Sequence, residues 1–264
     1  MQRLVFSAVC AAALFAGTGP TATAQNKWAT VKGQVVFPGD KELPKRAPLN
    51  VTQDKDHCLS KGEILDESVI VNAKNKGIKN VVVFLRPDDT DLKAELPKEA
   101  IHPDDKNRKA GEVVIDQPCC MFGPRVTVAR AGDKLTVKNS APVAHNLFWE
   151  TSNNGSYNVT IPKMDKWELK EGLAKEEGNR PIQYKCTIHG WMTGYVRVFD
   201  HPYYAITDDS GNFEIKNAPV GKYRIVYWHE NGVRGGAKGR AGDPIEIAGP
   251  TLEIKPVEFD VSPK

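Results

Sequence analysis

Tyr184–Lys185–Cys186–Thr187–Ile188–His189–Gly190–Trp191–Met192 sets a cysteine, a histidine and a methionine at steps of three residues. The flanking runs Ile182–Cys186 and Gly194–Val198 are rich in β-forming residues, so the three side chains sit on a tight loop between two strands. Such a loop can turn all three inward around one point. Thiolate, imidazole and thioether form a soft donor set that suits copper better than magnesium, calcium or manganese.

A trigonal copper site needs a second imidazole. His145 supplies one, at the start of His145–Asn146–Leu147–Phe148–Trp149, a plausible neighbouring strand. Two histidines and one cysteine with a weak methionine are the donors of a blue-copper electron-transfer site. Asn146 is the natural residue to hydrogen-bond the Cys186 loop. If His189 lies near the surface, its ring edge is the electron port, and Ile188 and Trp191 form an apolar docking rim around it.

Outward from this loop the chain reads as β throughout. Short runs rich in Val, Ile, Tyr and Phe recur between Gly and Pro turns, among them Thr30–Phe37, Ile78–Arg86, Lys134–Asn139, Gly221–Trp228 and Leu252–Val261. Helices should be short, with Asp91–Glu99 and Leu169–Glu177 the best candidates. Pro87 to Glu112 is a mixed-charge stretch and reads as an exposed connection. Gly232 to Asp243 reads as a mobile hairpin loop, since it lacks the Lys-Ser/Thr ending of a phosphate loop.

The 264 residues carry 36 basic and 33 acidic side chains, too even a balance for a nucleic-acid binder. Met1–Gln2–Arg3, the apolar run Leu4 to Ala16 and the small residues Ala22–Thr23–Ala24 read as a signal peptide, residues 1–24, cleaved after Ala24. The expected location is therefore periplasmic or secreted, with no membrane span after cleavage and with disulfides permitted. There is no His-x-His pair of the kind that builds an oxygen-reducing copper cluster, and no Gly-x-Ser-x-Gly elbow of a serine hydrolase.

His145–Asn146 followed by Cys186–Thr187–Ile188–His189–Gly190–Trp191–Met192 resembles the type 1 copper motif of cupredoxins, and its short loop is most similar to that of amicyanin. The resemblance implies a Greek-key sandwich over residues 111–200 holding one type 1 copper ion. His145, Cys186 and His189 would be equatorial ligands and Met192 axial. It also implies one-electron transfer, rather than catalysis, with a redox partner such as a c-type cytochrome or periplasmic dehydrogenase.

The flanks carry a second resemblance. Thr207–Asp208–Asp209–Ser210–Gly211–Asn212–Phe213–Glu214–Ile215 and Pro219–Val220–Gly221–Lys222–Tyr223–Arg224–Ile225 are similar to the carboxypeptidase regulatory-like (transthyretin-like) β-sandwich, whose opening Gly-x-Val is matched by Gly33–Gln34–Val35. Residues 25–110 and 201–264 are then the two parts of one all-β sandwich with the copper module inserted, or the two modules stand in tandem. The whole order resembles exported bacterial methylamine utilisation protein-like cupredoxin proteins. In those a cysteine precedes Pro-His-Val; here Cys120 precedes Pro124–Arg125–Val126, with arginine in place of the histidine.

With Cys186 assigned to copper, Cys58, Cys119 and Cys120 remain in the mature chain. A Cys58–Cys120 disulfide is expected, with Cys119 as the competing partner. The functional expectation is an exported electron carrier. The alternatives are a copper delivery or storage protein and an envelope scaffold without a redox role. The four methionines, Met1 included, form no cluster of the kind storage requires.

Overall fold

A computed structural model describes residues 27–176 and 180–262; the expected leader, 1–24, lies outside them. The fold is all-β, as expected, and its strands divide between two packed bodies.

The outer body is built from both ends of the chain. Trp28–Val36 runs antiparallel to Asn212–Pro219 and parallel to Thr251–Glu253 and Val257–Glu258. In a second sheet, Val82–Pro87 lies between Tyr204–Ile206 and Gly221–His229. Alternation dictates the burial: Val31, Val35, Ile215 and Ile225 meet Val83 and Leu85 in one core. Two turns interlock beside it. A Cβ on Gly77 would meet the Ser210 carbonyl oxygen at 2.0 Å, and one on Gly211, which has φ of 77°, would meet that of Val35 at 2.2 Å. Only glycine permits this approach.

The inner body holds a five-stranded sheet, in the order Val126–Arg130, Thr193–Phe199, Ile182–Lys185, His145–Glu150 and Ser156–Ile161. Against it lies a three-stranded sheet of Glu112–Ile115, Lys134–Asn139 and Asp165–Leu169. Ile115, Leu135, Val137, Leu147, Trp149 and Tyr184 fill the space between them. These side chains are fully buried, and the removal of their apolar surface from water is the main stabilising term.

One segment departs from the expected assignment of residues 25–110 to the outer sandwich. Val51, Cys58 and Ile64 pack into the core of the inner body. Residues around Asp54 therefore cross over and cover its end.

A third apolar cluster joins the bodies, with Phe84, Val226 and Trp228 on one side and Val126 and Phe199 on the other. The buried Arg197 guanidinium lies over the rings of Phe84 and Trp228, 4.7 and 5.3 Å from their centroids. Arg125 makes a buried bidentate ion pair with Glu230 at 2.6 and 2.7 Å. Its role here is to tie the bodies together.

Several local expectations differ from the structure. Of Asp91–Glu99, only the end enters a 3-10 turn, Lys98–Ala100. Leu169–Glu177 contains no helix among its described residues: Leu169 pairs with Leu135, and Gly172 turns the chain at φ of 76°. Asp243–Ile247 is a strand on the edge of Gly221–His229 that the glycine-rich stretch before it and Pro244 had hidden. The charged connection Pro87 to Glu112 is tied down by the pairs Arg130–Asp105 and Arg108–Asp133. No described helix is long and apolar enough to cross a membrane.

Candidate metal centre

The loop after Ile182–Lys185 closes on itself. The Cys186 amide donates to the Met192 carbonyl at 3.2 Å, and the Met192 amide donates to that of His189 at 2.9 Å. Cys186, His189 and Met192 are all buried, as is His145 on the adjacent strand. The Cys186 sulfur accepts from the backbone N–H of Asn146 at 3.3 Å and of His189 at 3.4 Å. Burial pushes the Cys186 thiol up, but these hydrogen bonds and the His189 ring outweigh it and hold it below its ordinary range. The thiolate is the metal-binding form.

The Asn146 side chain ties the two strands' ends together. Its Oδ1 accepts from both the amide and the hydroxyl of Thr187 at 3.0 Å, while Nδ2 donates to Asn158 Oδ1 at 2.6 Å.

An oxygen partner fixes the ring orientation of each histidine. The amide nitrogen of Asn139 faces the carbonyl oxygens of Val143, Ile161 and Pro162, each at 2.9 Å, which turns Oδ1 toward His145. His145 Nδ1 lies 3.0 Å from that oxygen and must carry the proton. Its Nε2 is then a bare lone pair, buried and without a hydrogen-bond partner among the described residues. Burial and the neighbouring His189 and His57 lower the His145 pKa to about 4. His189 is arranged in the same manner: Nε2 donates to Asp54 Oδ2 at 2.8 Å, and Nδ1 faces the Cys186 sulfur at 3.7 Å. The two rings lie 4.7 Å apart, centroid to centroid. For His189, burial lowers the pKa, but Cys186 and Asp54 together raise it above the ordinary value.

A soft, buried set with an orphaned imidazole lone pair fits a copper ion held by His145, Cys186, His189 and Met192. A bare lone pair buried without a partner is costly in any other role.

Two features differ from the sequence reading. His189 is fully buried, so its edge is not a surface port. The segment carrying Asp54 lies over it. Ile188 and Trp191 are half-buried, packed against the core, and Trp191 Nε1 donates to the Cys120 carbonyl at 3.0 Å. They do not rim an exposed imidazole. Cys58 and Cys120 are joined in a disulfide with Cα atoms 5.4 Å apart, and Cys119 is a half-buried free thiol. The two disulfide sulfurs and a His189 ring nitrogen lie within 4.8 Å of one another. Paired as a disulfide, these sulfurs offer no thiolate to a metal.

Asn139 and Asp54 are the functional residues that sequence reasoning missed. Asn139 stands six residues before His145 at a strand end, a position that could have marked it. Asp54 is 135 residues from His189, and no motif connects them.

No family model and no curated protein matches the chain. Among solved structures, it is similar to a purple cupredoxin from Nitrosopumilus maritimus, at 19% identity over 34% of this chain and 99% of that one, with a TM-score of 0.27. A reduced Cu(I) form of an amicyanin mutant matches at 23% identity over 35% of this chain and 87% of that one, TM-score 0.29. A Cu-containing nitrite reductase from Thermus scotoductus matches at 14% identity over 35% of this chain and 23% of that one, TM-score 0.30.

Proposed function

We propose that this protein is an exported type 1 copper protein that passes single electrons and carries out no catalysis of its own. His145 through Nε2, Cys186 through its thiolate and His189 through Nδ1 would hold the ion, with Met192 as the weak fourth donor. Copper supplies a one-electron couple, and the donors suit both of its oxidation states. The chain's contribution is rigidity. Asn139 orients His145, Asn146 ties the strand end to the ligand loop, the loop's internal hydrogen bonds hold its backbone, and burial of all four residues excludes water. A site that does not rearrange between oxidation states exchanges electrons with little reorganisation.

The observation that carries this reading is the pair of buried histidines, each with one nitrogen tied to an oxygen, His145 leaving its other nitrogen without a partner and His189 turning its own toward the buried Cys186 sulfur. The partner would be another redox protein, such as a c-type cytochrome or a dehydrogenase of the periplasm or cell envelope. Titrating the purified protein with Cu(II) tests the site: one equivalent should raise an intense visible thiolate-to-copper band, and Cys186→Ser should abolish it. Copper bound without that band would sink the reading.

A further inference from the structure

Asp54 precedes the single helical turn Lys55–Cys58 and occupies its N-cap position, yet its side chain makes no capping bond. An aspartate there ordinarily accepts from the N–H groups of the turn it opens. Here the carboxylate reaches away, to His189 Nε2 at 2.8 Å. The backbone is left-handed at this residue, with φ 46° and ψ 38°, a conformation that aspartate and asparagine tolerate better than other side chains. Four residues on, Cys58 is bonded to Cys120, whose carbonyl accepts from Trp191 of the ligand loop. The turn is therefore fastened on both sides of the imidazole, and it forgoes its own cap to face that imidazole.

We propose that Asp54 is a positioning residue for the copper centre: its carboxylate takes the Nε2 proton of His189 in a hydrogen bond, fixes the ring with Nδ1 toward Cys186, and lowers the reduction potential. The inference rests on the copper reading above. A carboxylate behind a metal-bound imidazole makes the imidazole a stronger donor, and stronger donation favours the more highly charged Cu(II) over Cu(I). The negative charge acts in the same direction. The Asp54 side chain is 40% exposed, so water screens part of the direct charge effect; the hydrogen bond, ending on a fully buried ring, carries the rest. The same cover closes the imidazole edge to direct contact.

The test uses the full chain loaded with copper, with the potential measured by mediated redox titration and compared among wild type, Asp54→Asn, Asp54→Ala and Asp56→Asn. Asp54→Asn keeps the size and the tolerance for a left-handed backbone while removing the charge. Asp56 lies on the same turn and is exposed, which makes it the control for net charge. Both Asp54 variants should raise the potential by the equivalent of about a tenfold change in Cu(II)-over-Cu(I) preference, or ~59 mV for one electron. Asp56→Asn should move it much less. An unchanged potential, or a shift that Asp56→Asn reproduces, overturns the proposal. Independently of any variant, the His189 Nε2 proton should give a slowly exchanging resonance in the Cu(I) and metal-free wild type, and its absence also overturns the proposal. Failure of the copper reading itself looks different: the wild type never develops the thiolate-to-copper band.

Discussion

The loop Cys186–Met192 and the turn Asp54–Cys58 press on the same imidazole from opposite sides, and they reach it by opposite means. The loop holds itself together by bonds between residues three and six apart, and its donors are neighbours in the chain. The turn has local bonds too, with the His57 and Cys58 amides donating to the Asp54 carbonyl at 3.0 and 2.8 Å. What fastens it over the site is distant: a disulfide to Cys120, one hydrogen bond to His189 and the burial of Val51 and Cys58 in the other body's core. Under the proposed function the first region would supply metal donors and the second would constrain one of them. A local motif survives changes elsewhere in the fold, whereas a cap made of distant contacts fails whenever one anchor is lost.

The strongest way to break the contrast is to cut the covalent anchor. Replacing Cys58 and Cys120 together by serine removes a cross-link spanning 62 residues, which should cost about 4 kcal/mol in urea unfolding. Hydrogen exchange should then accelerate at Asp54–Leu59 more than at Cys186–Met192. Equal acceleration in both would mean that the loop and the turn are one cooperative element.

Next in size is a pH effect that separates histidines facing a carboxylate from those that do not. His229 is buried, and burial with the nearby Arg125 lowers its pKa to about 4 from the ordinary 6.5. The unfolded chain therefore takes up a proton at His229 before the folded one does. Its contribution to stability is complete above about pH 6.5 and is lost as pH falls toward 4, a change on the order of 3 kcal/mol. His229→Gln should flatten the stability-against-pH curve in that window. The same slope retained in the variant would refute the assignment.

Asn139→Ala removes the oxygen that orients His145 and strands three carbonyls. It should destabilise the fold by about 2 kcal/mol and weaken copper binding roughly 10- to 100-fold by calorimetry. Wild-type affinity in this variant would show that His145 needs no orienting partner. The smallest effect belongs to Trp191→Phe, which deletes only the bond to Cys120 and should cost about 1 kcal/mol. Hydrogen exchange should show the loss confined to opening of the Asp54 turn; loosening of the ligand loop as well would mean that the two move together.

Much of this was legible in the residues themselves. Strands such as Glu112–Ile115, Ile182–Lys185 and Asn212–Pro219 could be read off because alternating burial leaves a period-two trace. Asp243–Ile247 left no such trace: its order comes from pairing with Gly221–His229, and Pro244 argues locally against a strand. The helical reading of Leu169–Glu177 failed for the converse reason, since local propensity yielded to the pairing of Leu169 with Leu135. At the site, Asn146 was visible because it adjoins His145, whereas Asp54 has no neighbour in the chain that betrays its partner.

By itself, then, the sequence determined the candidate donors, their spacing and the all-β class, because residue type and strand alternation are properties of residues a few positions apart. Tertiary structure alone decided that His189 is buried, that Asp54 stands behind it and that a segment of the N-terminal stretch closes the site. Those outcomes depend on which distant surfaces meet once the apolar faces of both bodies are buried, and no local pattern encodes that meeting.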